Sequence, residues 1–251
     1  MRGIPGGVTF AGLHGRNVLV TGSDGRLGRV WCATLRDAGA YVTGIALPRC
    51  DVRDRAALDG FANSIAGVDM MVLAAGVDAP PADRTWELDM SFGPRMRELP
   101  PTAIAVLDVN VVGIIRTIEA FLPGMIARGG GSIVTIGSLY ASVAPSPALY
   151  AHLGGFDKPP AYGASKAAVV QLTRHYAVRL AAHGIRVNCL SPGGVRGGQD
   201  ETFTAAYEAR VPLGRMAEPE DLIGPLLFLL SDASRYVTGH ELRVDGGYTA
   251  L

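Results

Sequence analysis

The most constraining feature of the chain is a rhythm of short apolar runs, each separated from the next by a segment long enough for a helix. Asn17-Val18-Leu19-Val20-Thr21, Val68–Leu73, Ser132-Ile133-Val134-Thr135-Ile136 and Ile185-Arg186-Val187-Asn188-Cys189-Leu190 are such runs. Strands that lack polar alternation are buried on both faces, and parallel strands require a crossover between them. The stretches 28–38, 54–66, 103–127 and 161–182 have the helical pattern that supplies crossovers. The expected fold is α/β, a doubly wound parallel sheet with helices on both faces. Ala40–Ile45 is another strand, and Cys50-Asp51-Val52 reads as a brief third one, with only residues 46–49 left to cross over. Glu241-Leu242-Arg243-Val244 closes the series. No repeat or linker divides the chain, so a single domain over 1–251 is expected, with 1–15 as an N-terminal extension.

Composition narrows the partners. The 23 basic and 23 acidic side chains cancel, which leaves no bulk electrostatic attraction to nucleic acid or to an anionic membrane. The longest apolar stretch near the C-terminus, Pro225–Leu230, is too short to span a bilayer, and residues 1–15 lack the apolar core of a signal peptide. A cytoplasmic protein is expected. Cys32, Cys50 and Cys189 are dispersed and odd in number, so neither a disulfide framework nor a metal site is indicated. Glycine is the outlier, at 33 of 251 residues, or about 13% against an average of about 7%. Without a repeat, that excess belongs to discrete turns and close approaches. Gly129-Gly130-Gly131 precedes a strand and reads as a turn, and His183 before Gly184 reads as a helix end.

Two motifs carry chemistry. Thr21-Gly22-Ser23-Asp24-Gly25-Arg26-Leu27-Gly28 follows the first strand and opens a helix. There the glycines permit close backbone approach, and the helix N-terminus offers N–H donors to a dinucleotide pyrophosphate. In Tyr162-Gly163-Ala164-Ser165-Lys166 the phenol and the ammonium stand one helical turn apart on the same face. A nearby cation favours the phenolate of a tyrosine that is otherwise a poor base at neutral pH.

With further segments in order along the chain, the sequence resembles the short-chain dehydrogenase/reductase family over nearly its whole length. The matching pieces are the Thr21–Gly28 loop, Asp51-Val52, Leu73-Ala74-Ala75-Gly76, Asp108-Val109-Asn110-Val111, Ile136-Gly137-Ser138, Tyr162–Lys166, Asn188-Cys189-Leu190-Ser191-Pro192-Gly193 and Val244-Asp245-Gly246-Gly247. The resemblance implies a single-domain Rossmann fold and an NAD(P)-dependent oxidoreductase that interconverts a secondary alcohol and a ketone by hydride transfer. It implies Tyr162 as general acid/base, Lys166 lowering its pKa and binding the nicotinamide ribose, and Ser138 bonding the reacting oxygen. Asn110 would kink its helix and anchor a water in a proton relay. The implied cofactor contacts are Gly22, Ser23, Gly25, Arg26, Leu27, Gly28, Arg49, Asp51, Val52, Ala74, Ala75, Gly76, Asn110, Tyr162, Lys166, Pro192, Gly193 and Val195. A homo-oligomer, tetramer or dimer, is implied, with Glu218–Leu230 and the last strand near the contacts.

The chain also departs from the family pattern. Arg26 stands where the second loop glycine usually falls, and Gly25 gives a spacing more typical of epimerase-like members. At the end of the second strand Ala46 replaces the acidic residue that selects NAD, while Arg49, and less directly Arg26, offer a partner to a 2′-phosphate. The balance points to NADP. Ser138 and Tyr162 are 24 positions apart, about twice the family separation, because of an insertion over 141–160 that holds Tyr150, His152, Phe156 and Asp157. A second excursion, 77–101, carries Trp86, Phe92 and Met96, and 196–215 is the expected substrate lid, hinged at Gly197-Gly198. Alternatives on the same fold are a sugar-modifying epimerase or dehydratase and a dinucleotide-binding sensor without turnover.

Overall fold

A computed structural model of the protein describes residues 10–78, 101–153 and 158–251. Trp86, Phe92, Met96, Phe156 and Asp157, and most of the N-terminal extension, lie outside the described residues. Six parallel strands form one sheet: β1 (Asn17–Thr21), β2 (Tyr41–Ile45), β3 (Met70–Leu73), β4 (Gly131–Ile136), β5 (Ile185–Pro192) and β6 (Glu241–Val244), in the spatial order β2-β1-β3-β4-β5-β6. The helices are α1 (Arg26–Asp37), α2 (Arg55–Ser64), α3 (Pro101–Leu107), α4 (Gly113–Ala127), α5 (Pro160–Leu180), α6 (Glu201–Glu208) and α7 (Ile223–Leu230). This is the doubly wound α/β architecture read from the apolar runs.

The central strands β1, β3, β4 and β5 are buried because their two faces meet different helices. Leu19, Met71, Leu73, Ile133 and Val187 pack with Leu58 of α2, Ile118 and Phe121 of α4 and Val169 of α5. Val18, Val20, Met70, Val72 and Val134 face the other way, onto Trp31 and Leu35 of α1 and Leu226 and Leu229 of α7. Alternate residues of one strand thus feed two cores, and that is why the strands show no polar phase. A third cluster lies outside the sheet: Leu139, Leu149 and Tyr150 pack with Tyr207, Val211 and Met216. The described part of the 141–160 insertion therefore packs beside α6.

Two expectations need correction. Cys50-Asp51-Val52 is not a strand: the Arg49 and Cys50 N–H groups both donate to the Ala46 carbonyl, at 2.9 and 3.2 Å, and close a turn. The crossover from β2 to β3 is an ordinary one, carried by α2, whose N-cap Asp54 accepts the Ala57 N–H at 3.0 Å. The helix read over 103–127 begins at Pro101 and is interrupted by a π-helical segment, Asp108–Val112, between α3 and α4. Such wide turns within a helix often mark functional sites.

Opposite the carboxyl ends of the strands, Asp69 holds the sheet's amino edge. Its buried carboxylate accepts the Asn17 N–H at 2.8 Å and two Arg128 donors, Nε at 2.7 Å and Nη2 at 3.0 Å. Burial pushes this carboxyl up, but the Arg128 and Asn17 hydrogen bonds outweigh it and hold it below its ordinary value. Asp69→Asn is expected to destabilise the protein by about 1–2 kcal/mol at pH 7, since it neutralises a buried carboxylate that accepts three hydrogen bonds while its partner Arg128 stays 39% exposed. The native carboxyl's contribution is lost as pH falls through its depressed pKa, so the gap between variant and wild type should close in acid. Urea unfolding at neutral and acidic pH measures both; a gap independent of pH would contradict the assignment.

Candidate active site

The carboxyl ends of the strands converge on a cavity of about 410 Å³. It lies beside the point where the strand order reverses, between β1 and β3, which is where open α/β sheets bind ligands. Across that point Thr21 Oγ1 accepts the Ala75 N–H at 3.0 Å, fastening the two strand ends together. Gly22 then turns the chain with φ +69°. A Cβ on Gly28 would lie 2.1 Å from the Gly22 carbonyl oxygen, so α1 sits against the loop only because residue 28 has no side chain. The N-cap of α1 is Gly25, which provides no side-chain cap, so the N–H groups of the first turn keep their capacity for an anion. Trp31 Nε1 is a buried donor without a partner among the described residues, and its residue lines the same cavity. These donors fit the pyrophosphate end of a dinucleotide.

At the other end stand Ser138, Tyr162 and Lys166. Ser138 follows β4 and caps the short turn Leu139–Ala141 by accepting the Tyr140 N–H at 3.2 Å. Tyr162 and Lys166 lie in the first two turns of α5, which opens at Pro160. Lys166 Nζ donates to the Ile136 carbonyl at 2.9 Å and is 5.7 Å from the centroid of the Tyr162 ring. Burial pulls the Lys166 ammonium down to about 8. Burial, and then the charge of Asp78, push the Tyr162 phenol well above its usual value, and a hydrogen bond with Ser138 opposes them. In this arrangement the ammonium is turned to a backbone carbonyl, and desolvation of the phenol dominates. The phenol is protonated at neutral pH.

Asn110 sits within the π-helical segment, and its side chain is spent on neighbours. Its Oδ1 accepts the Val77 N–H at 2.8 Å, and its Nδ2 donates to the Val77 carbonyl at 3.0 Å and to Ser165 Oγ at 3.1 Å. The amide therefore locks the chain after β3 to α5, directly beside the catalytic helix face.

Of the residues selected from sequence, Gly22, Gly25, Arg26, Leu27, Gly28, Ala74, Gly76, Ser138, Tyr162, Lys166, Pro192, Gly193 and Val195 line this one cavity. Ser23 and Arg49 line a separate hollow with Arg29, Arg36 and Thr43 at the side of β2. Arg26 does not join Arg49: its Nη1 donates to the Arg196 carbonyl at 2.8 Å, on the far side of the cleft, and Gly197 leaves room for the guanidinium. Ala75 is held by Thr21. Asp51 is paired with Arg53 at 2.7 Å, and Val52 packs where a Cβ on Gly113 would collide with it. Sequence reasoning missed Trp31, Asp78, Tyr140, Lys158, Gln199 and Tyr207 as lining residues. Only spatial proximity identifies them; Tyr207, for instance, accepts the Gly194 N–H at 2.5 Å from a helix 13 positions on.

Fold and site together define a dinucleotide-dependent oxidoreductase. The family model adh_short_C2, described as enoyl-(acyl carrier protein) reductase, matches residues 11–249. The chain is 35% identical over 225 residues to cis-4-hydroxycyclohexanecarboxylate dehydrogenase of Sinomonas cyclohexanicum, covering 86% of this chain and 80% of that one. A short-chain dehydrogenase of Leptospira borgpetersenii with bound NAD+ superposes with a TM-score of 0.80 at 27% identity, over 94% of this chain and 93% of that one. A gluconate 5-dehydrogenase of Burkholderia cenocepacia, in complex with NADP and tartrate, gives 0.77 at 27% identity, over 95% and 96% of the two chains. The protein belongs to the short-chain dehydrogenase/reductase family. It is an NAD(P)-dependent oxidoreductase acting between secondary alcohols and ketones.

The buried ammonium has a measurable cost. A fall of Lys166 from 10.5 to about 8 corresponds to on the order of 3 kcal/mol against the fold at neutral pH. Its bond to the Ile136 carbonyl returns about 1 kcal/mol. Lys166→Met is expected to raise stability by about 1–2 kcal/mol at pH 7 while abolishing turnover. Because the folded pKa is depressed, wild-type stability rises as pH climbs from about 8 to the ordinary lysine value near 10.4, and the two proteins should converge. Calorimetric unfolding from pH 7 to 10 reads this directly; a destabilised variant would refute it.

Proposed function

We propose that Tyr162 exchanges the proton of the reacting oxygen and that Ser138 and Lys166 support it. The observation that carries this reading is the gathering of a half-buried phenol with a buried hydroxyl and a buried ammonium at one end of a cleft whose other end is an uncapped helix N-terminus. Bound NAD(P) supplies or accepts the hydride. In the reducing direction, a phenol held protonated gives its proton to the carbonyl oxygen as charge develops there, and the Ser138 hydroxyl hydrogen-bonds the same atom. In the oxidising direction the Lys166 charge favours the phenolate that takes up the alcohol proton, and its ammonium also holds the nicotinamide ribose. Asn110 positions the site through Val77 and Ser165 rather than by touching the reacting atoms. The epimerase, dehydratase and sensor alternatives have less support, since the relatives above are named dehydrogenases.

NADP is the proposed cofactor. No carboxylate stands at Ala46, and Arg49, Arg29 and Arg36 outnumber the one carboxylate, Asp24, that lines the hollow beside β2. Pro192, Gly193 and Val195 face the nicotinamide end, while Asp51 and Val52 stand at the adenine end. Residues 196–215 form the lid, in which α6 carries Phe203 and Tyr207 over the substrate side of the cavity. A cytoplasmic location is supported by three buried free thiols. A homo-oligomer formed through α7 and β6 is supported by the half-buried outer strand β6, which pairs along one edge only.

Tyr162→Phe is expected to bind NADPH as wild type does, by fluorescence titration, and to lose at least about a hundredfold in kcat. Full turnover in that variant would refute the proton-transfer role. Arg49→Ala is expected to weaken NADPH binding by about tenfold or more while sparing NADH. Equal effects on the two cofactors would remove the preference for NADP.

A further inference from the structure

The wall of the cavity facing Ser138 and Tyr162 carries a charged pair that the reaction itself does not use. The Lys158 ammonium contacts the Asp78 carboxylate, and both residues line the cavity beside Tyr162. The Lys158 side chain is 18% exposed and that of Asp78 33%, so the ammonium is mostly covered while the carboxylate stays open to solvent at the mouth of the cavity. Lys158 Nζ lies 5.3 Å from the centroid of the Tyr162 ring, on the same scale as Lys166 Nζ. A group held by the pair thus lies in the same part of the cavity as Tyr162.

Neither partner is placed at random. Asp78 follows Val77, whose N–H and carbonyl are both gripped by Asn110, at 2.8 and 3.0 Å. Lys158 precedes Pro159 and Pro160, which open α5. The segments that fix Tyr162 therefore also fix the pair. The adjoining wall adds two phenols, with Tyr140 Oη and Tyr150 Oη 3.2 Å apart.

We propose that Lys158 and Asp78 form a specificity-determining subsite that reads a second hydroxyl of an uncharged, polyhydroxylated secondary alcohol or its ketone. The inference rests on the reading of Tyr162 as the acid/base. The chemistry follows from the pair's two faces. A hydroxyl both donates and accepts, so it bridges the pair from the cavity side, donating a hydrogen bond to the Asp78 carboxylate and accepting one from the Lys158 ammonium. A substrate carboxylate has no proton to give and meets the negative charge of Asp78. A simple monofunctional ketone satisfies neither group. The charge of Asp78 already acts at Tyr162, where it helps to push the phenol up, so a second anion there is disfavoured. The pair is neutral as a unit and selects hydroxyl pattern rather than charge.

The test is a selectivity ratio. Wild type, Lys158→Met, Asp78→Asn and the double variant are assayed with NADP on cyclohexanol, on a series of cyclohexanediols and hexitols, and on 4-hydroxycyclohexanecarboxylate, after circular dichroism confirms folding. Wild type is expected to favour at least one polyol over cyclohexanol by about tenfold or more in kcat/KM, and to favour it over the hydroxy acid. Each single variant should lower the polyol-to-cyclohexanol ratio by about tenfold, mainly through KM, and the double should lose no more than the worse single. Asp78→Asn should also raise the hydroxy acid relative to the polyol. A ratio unmoved by either substitution, or a wild type that prefers the hydroxy acid, overturns the subsite while leaving the acid/base reading intact. A wild type that binds cofactor but turns over none of the panel, as Tyr162→Phe also does, overturns both.

Discussion

The side-chain amide of Asn110 is the contact on which the active site most depends. One residue in a π-helical turn satisfies both backbone groups of Val77 and reaches Ser165 on the catalytic helix. Three elements distant in sequence, the chain after β3, the α3–α4 junction and α5, are locked by a buried group whose hydrogen bonds are expensive to leave unmade. From that lock follow the place of Tyr162 and Lys166 on α5 and the place of Asp78 beside them. The wide turn has a function in this view: a regular helix would carry the amide elsewhere.

Electrostatics at the site run against stability. The buried Lys166 ammonium is held by a carbonyl and by no carboxylate, and its depressed pKa shows how much the fold gives up to keep a cation there. The phenol beside it is kept protonated chiefly by desolvation. Both costs are tolerated because the rest of the sheet is conventional: the central strands β1, β3, β4 and β5 are sealed between helices, and the amino edge is tied by Asp69 and Arg128.

Much of this was legible beforehand, and the failures have physical causes. The strands and their crossovers follow from apolar runs buried on both faces. Gly22, Gly25, Gly28, Tyr162 and Lys166 follow from local spacing that can be checked within a loop or a helical turn, whereas Ser138 came only with the family resemblance. Cys50-Asp51-Val52 misled because an apolar dyad beside a turn has strand composition. The hydrogen bonds to Ala46 that make it a turn involve backbone groups, which composition does not reveal. Where Arg26 reaches is not legible in the sequence, because a long side chain can swing either way from the same backbone position, and the room at Gly197 decides which.

By itself, then, the sequence determined the order of elements, the parallel sheet and the local chemistry of the glycine loop and the Tyr162–Lys166 helix, because each depends on neighbours within a few residues. Only the tertiary structure decided that Asn110 grips Val77, that Trp31 turns an unpartnered donor into the cavity wall, and that Lys158 meets Asp78 from 80 positions away. Such pairings depend on the packing of strand ends and helix starts against one another. No periodicity along the chain encodes which side chains meet across a cleft.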